Sequence, residues 1–234
     1  EMCIRDSFKG VYMKKFNMIK AFTLAETLVT LMIIGVIAAM TIPGLQKVSE
    51  ERSIPPRVLK AYNTVSTATK ELRQEYGPIK LWPWANTEEV FTNMYMKKFN
   101  IAQNCKNNGG CFGNEYAQKT LAGQAGNKYQ TDKGWYTFAT ADGMLWAAKA
   151  FNGCNRTEGN YVKNSCAYFE VDVNGQKEPN MVGVDTFAFT VNGDGQVYPL
   201  GGCPGCNEDD CKSGEGGNGW GCTAKLIREG KISW

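Results

Sequence analysis

The sequence predicts an α+β fold, an antiparallel sheet covered on one face by helices, and three observations carry that prediction. A 21-residue run from Phe22 to Ile42 is apolar or uncharged except for Glu26. Further on, Val58, Tyr62, Val65, Thr69, Leu72 and Tyr76 recur at steps of four and three, the spacing of one helical face. From Trp135 onward, aromatic and alternating runs are separated by glycine-bearing turns, the signature of short strands in a meander.

The apolar run comes first. At about 1.5 Å per residue it extends roughly 31 Å, close to the hydrocarbon thickness of a bilayer. An ionised carboxylate in that setting costs at least ~2.5 kcal/mol unless something pairs with it, so Glu26 marks a function. Lys14, Lys15 and Lys20 precede the run, which keeps its amino end cytoplasmic and places everything after Pro43 outside. A cleaved secretory signal fits poorly, because the run ends in MTIPG with no small-x-small cleavage site. A plain anchor has no use for an acid four residues after Phe22.

After Pro43 the chain stays helical in character to about Glu51 and then meets Ile54-Pro55-Pro56, where a kink or short break is expected. Pro56 suits a first helical turn, and the amphipathic stretch that follows ends at Gly77-Pro78. Asn86-Thr87-Glu88-Glu89 is a capped start for a second helix to about Lys98, with Val90, Phe91 and Met94 facing inward. Strands are expected over Trp135–Thr140, Met144–Ala150, Ala167–Val173, Thr186–Val191 and Gln196–Tyr198. The turns Ala141-Asp142-Gly143 and Asn192-Gly193-Asp194-Gly195 join them as hairpins.

The chain has nine cysteines, and setting Cys3 aside leaves Cys105, Cys111, Cys154, Cys166, Cys203, Cys206, Cys211 and Cys222. An even number in an exported chain points to disulfides. Proximity favours Cys105 with Cys111, Cys154 with Cys166, and two bridges within the last four. Each of the first two closes a loop rich in Gly and Asn, contributing on the order of 2–4 kcal/mol. The last four leave two other readings open, a thioredoxin-type pair at Cys203/Cys206 and a tetrahedral zinc site. Against them stand the turn-rich surroundings of CPGC and the lack of a second C-x-x-C.

Oxygen-bearing side chains at Asp172, Asn174 and Asp185 are the kind that wrap calcium, although Asp and Asn in such a stretch also make turns by bonding their own backbone. The acidic run Asn207 to Asp210 has the same two readings. The formal charge of +3 owes much to the lysines before the apolar run and to Arg5, so no basic face for nucleic acid follows. The chain contains no histidine, which removes the commonest general base, and it has neither a phosphate-cradling loop nor a nucleophile elbow. An enzyme is not expected.

The segment Lys20–Pro43 resembles the amino terminus of type IV prepilins, a superfamily that includes the type II secretion pseudopilins. The resemblance implies a leader, residues 13–21, cut by prepilin peptidase between Ala21 and Phe22, with Ala21 standing where the family strongly prefers Gly. It implies methylation of the new amine at Phe22, and pairing of Glu26, the fifth mature position, with the Phe22 amine of a neighbouring subunit. Pro43 falls where many members bend the first helix. Residues 22–43 are then the membrane-spanning and filament-core helix, and 44–78 its amphipathic continuation, laid on the sheet as in pilins. Residues 79–234 form the extracytoplasmic α+β domain with disulfide-stapled loops. Residues 1–12 fit neither leader nor domain and are read as lying upstream of a start at Met13 or Met18. The partners implied are prepilin peptidase, other pilin or pseudopilin subunits, the inner-membrane assembly platform and the lipid bilayer. The implied location is the inner membrane, then a pilus or pseudopilus. A signal-anchored, extracytoplasmic, disulfide-rich binding or redox protein that does not polymerise is the competing expectation.

Overall fold

Leu24 opens the longest element of the chain, helix α1 (Leu24–Tyr76), 53 residues that begin in one structural unit and end in another. The computed structural model describes residues 23–156, 163–203, 211–212 and 217–234, the side chains of residues 43, 46 and 47 excepted. The first unit is Glu1–Lys47 and the second Val48–Trp234. Within the first, Leu24–Ile42 has a mean hydropathy of 2.1, and its window is 0% buried, so it is long and apolar enough to cross a membrane. Leu24, Leu28, Met32 and Ile34 are each at least 60% exposed.

In the second unit α1 does what the periodicity predicts. Ile54, Val58, Ala61, Val65, Ala68, Thr69 and Leu72 are buried, whereas Tyr76 is 46% exposed, so the packed face stops one turn short of the expected end. The expected break at Ile54-Pro55-Pro56 does not occur, and helical backbone runs through both prolines. Two adjacent prolines remove only two consecutive N–H donors, and Ile54 before them and Val58 after them are both fixed in the core. The backbone is likewise helical through Pro43. Gly77, at φ 77°, ends α1 with its N–H on the Arg73 carbonyl (3.0 Å).

Helix α2 (Thr87–Asn93) is shorter than expected. Asn86 caps it by accepting from the Glu89 N–H (3.2 Å). Met94 is the C-cap of α2, and a 3₁₀ turn over Tyr95–Lys97 follows, burying Tyr95 completely.

Six strands form one antiparallel meander: β1 (Ile101–Lys106), β2 (Tyr136–Thr140), β3 (Leu145–Ala150), β4 (Ser165–Asp172), β5 (Thr186–Asn192) and β6 (Val197–Pro199), neighbours in that order. The predicted strands are all present, and β1, an exposed and bulged edge strand, was not expected. Gly143 (φ 81°) and Gly195 (φ 87°) supply the positive φ that the two predicted hairpin turns require.

Side chains alternate across the sheet. One face of β2 to β5 presents Tyr136, Phe138, Trp146, Ala148, Phe169, Val171, Phe187 and Phe189 to the α1 and α2 residues of the main core. The opposite face is also covered. Phe112, Tyr116, Tyr129, Trp135 and Leu200, from non-strand segments, pack on Leu145, Ala147, Tyr168 and Ala188 as a second core. Consequently every residue of β4 and β5 is buried. Helix α3 (Cys222–Glu229) packs near β5 and β6 and was also not expected.

Candidate functional site

Two places hold candidate site residues: the start of α1 in the first unit, and the sheet face opposite α1 in the second. At the start of α1, Thr23 and Glu26 form a reciprocal cap. Thr23 N–H and Oγ1 both donate to Glu26 Oε2 (2.9 Å each), and Glu26 N–H donates back to Thr23 Oγ1 (3.2 Å). Glu26 Oε1 accepts no hydrogen bond among the described residues and stays open to a further partner. The T-x-x-E pattern of Thr23 and Glu26 is legible in the sequence as a capping box, within a run whose apolar character otherwise marks Glu26 only as a charge. Ala21 and Phe22 lie outside the described residues.

On the other face of the sheet the structure brings Asp172, Asn174 and Asp185 together. Asp172 Oδ2 accepts from Tyr116 Oη (2.8 Å) and Thr186 Oγ1 (3.5 Å), and its Oδ1 from the Asn174 N–H (3.2 Å). Asp185 takes the N–H groups of Asn180 (2.9 Å) and Met181 (2.6 Å) and the Asn174 amide nitrogen (3.3 Å). Burial and the Asp185 charge push the Asp172 carboxyl well above the usual range, and burial pushes Asp185 up to about 6. Burial and Asp172 together raise the Tyr116 hydroxyl. Every carboxylate oxygen here holds the chain's own donors, so a cation would have to displace them. Among the described residues no group of three or more Asp, Glu, Cys or His could hold a metal ion.

Disulfides join Cys105 to Cys111, Cys154 to Cys166 and Cys211 to Cys222. Cys203 is also disulfide-bonded, and Cys206 lies outside the described residues, as do Asn207 to Asp210. The first two pairings are those that proximity predicts. With Cys211 and Cys222 joined, the described residues hold three of the four thiolates of the zinc reading in disulfides.

The cavity on the same sheet face was not foreseen. Between Thr120–Trp135, β3, β4, β5 and Trp220 lies a cavity of about 440 Å³. Glu170 and Thr190, on neighbouring strands, line it while being only 2% and 1% exposed. Glu170 Oε1 accepts from the Asn127 amide (2.8 Å), but among the described residues neither Glu170 Oε2 nor Thr190 Oγ1 has a hydrogen-bond partner. Burial raises the Glu170 carboxyl to about 8 against the opposing Asn127 and Gln118 side chains. Lys149 Nζ sits over the Trp135 ring, 5.4 Å from its centroid. The alternation of β4 assigns Glu170 to the face away from the helices, which sequence alone reads as solvated. What hides it is the irregular cover over that face, which carries no periodicity.

No protein-family model, curated protein or solved structure matches the chain.

Proposed function

We propose that the chain is a pilin-like structural subunit, processed by prepilin peptidase and assembled into a type II secretion pseudopilus or a type IV pilus. The observation that carries this reading is the first unit's apolar helix, with none of its Leu24–Ile42 window buried and one acid at its start that keeps an oxygen unbonded. Such a surface is costly in water and at home either in lipid or against copies of itself. The helix is stored in the inner membrane and becomes the filament core on assembly, passing between two apolar surroundings. The role is architectural rather than enzymatic.

The cap at Thr23 refines the part played by Glu26. Hydrogen bonds from Thr23 satisfy one oxygen of the carboxylate but leave its charge uncompensated. The amine of Phe22 on an adjacent subunit supplies the opposite charge, so register is enforced wherever subunits dock. Two variants separate capping from charge. Glu26→Ala loses both, whereas Glu26→Gln keeps an acceptor for Thr23 and loses only the charge. Both are expected to insert in the membrane normally and to enter sheared filaments poorly by immunoblot. Normal incorporation of Glu26→Gln would remove the charge-pairing role, and normal incorporation of both would remove Glu26 from assembly altogether.

A further inference from the structure

We propose that the cavity on the sheet face opposite α1 is a binding site for a neutral, hydroxyl-rich ligand, a saccharide unit of one or two rings. Its volume of about 440 Å³ is that of a small-molecule site. Glu170 and Thr190, on adjacent strands, line it, and among the described residues their buried Oε2 and Oγ1 atoms have no hydrogen-bond partner. An unmet buried polar atom costs about 1–3 kcal/mol, and two in one cavity are matched by a ligand that brings hydrogen-bonding groups to both.

The chemistry of that ligand follows from the lining. Burial lifts the Glu170 carboxyl to about 8, so at neutral pH it largely keeps its proton and both donates and accepts, as a sugar hydroxyl does. The charged side chains around it are Asp132 from the loop before β2, Lys149 from β3 and Arg156 beyond β3. Their signs are mixed, which favours no ionic ligand over a neutral one. Half-buried Trp220 adds aromatic surface against which the C–H face of a sugar ring packs. This site lies wholly in the second unit and is independent of whether the chain polymerises.

The test uses the full chain in a detergent without a sugar headgroup and follows tryptophan fluorescence. The probes are glucose, galactose, mannose, N-acetylglucosamine, their β-1,4 disaccharides, and methylammonium chloride as the cationic control. At least one saccharide is expected to give a saturable change below about 10 mM. Glu170→Leu and Thr190→Val should each weaken it about tenfold or more while both variants keep the native melting transition. Glu170→Gln, which still donates and accepts, should bind within about threefold of the parent. Failure of every saccharide, or binding indifferent to Glu170→Leu and Thr190→Val, would overturn the proposal. Saturable methylammonium binding that vanishes in Glu170→Gln would overturn it in favour of a cation site.

Discussion

Glu170 is a carboxyl kept in the interior with one oxygen unmet, and that has a consequence for stability as well as for binding. Its ordinary value is 4.5 and burial raises it to about 8, so between those values the folded chain holds a proton that the unfolded chain has lost. Stability from this group is therefore complete below about pH 4.5 and falls as pH rises through 8, by up to about 1.4 kcal/mol per pH unit. Asp185, raised to about 6, adds a loss of the same sign over a lower range. Glu170→Gln cannot ionise, so urea denaturation at pH 5, 7 and 9 should show it gaining on the parent as pH rises. Equal pH slopes in the two proteins would mean that Glu170 is ionised in the folded state. Glu26 is a second residue-scale case, in which the T-x-x-E cap explains why an acid is tolerated at the helix start. The cap leaves the charge itself for a partner.

At the scale of elements, the second half of α1 is held by a seam that its sequence periodicity announces. Leu72 is fully buried, so Leu72→Ala should cost about 2–5 kcal/mol in chemical denaturation. Tyr76, exposed and one turn later, should cost under about 0.5 kcal/mol when changed to Ala. Local preference alone predicts a break at Pro55-Pro56. Tertiary packing of Ile54 and Val58 overrides it, and the helix continues at the expense of two backbone hydrogen bonds. Pro56→Ala should therefore raise the unfolding free energy by about 1–3 kcal/mol, and a loss of stability would show that the proline is structurally required. The interior strands were legible from aromatic alternation and turn glycines. Edge strand β1 was not, because Ile101-Ala-Gln-Asn-Cys-Lys106 is largely exposed and carries no alternating apolar face. Helix α3 was hidden by the glycines on either side of its eight residues. The second core is not legible in the sequence for a related reason: Phe112, Tyr116 and Tyr129 come from irregular chain, where no period marks which side chains turn inward.

For the whole molecule, the disulfides and the two-sided burial of the sheet belong together. The cover over the sheet's second face is built from non-repetitive chain, whose ordering entropy must be offset by cross-links as well as by aromatic contacts. Replacing Cys105 and Cys111 together by Ala should lower stability by about 2–4 kcal/mol, read as a lower denaturation midpoint. An unchanged midpoint would place the stability of that loop in its other contacts. The exposed apolar helix of the first unit has no such internal compensation, and the proposed function supplies it from outside, first as lipid and then as neighbouring subunits. The most direct test of that account is the intact mass and amino-terminal sequence of the membrane-bound protein, with and without an active prepilin peptidase. The account predicts a peptidase-dependent chain that begins at Phe22 and is heavier by one methyl group. A chain that keeps its leader beside an active peptidase would contradict it and leave a membrane-anchored domain that does not polymerise.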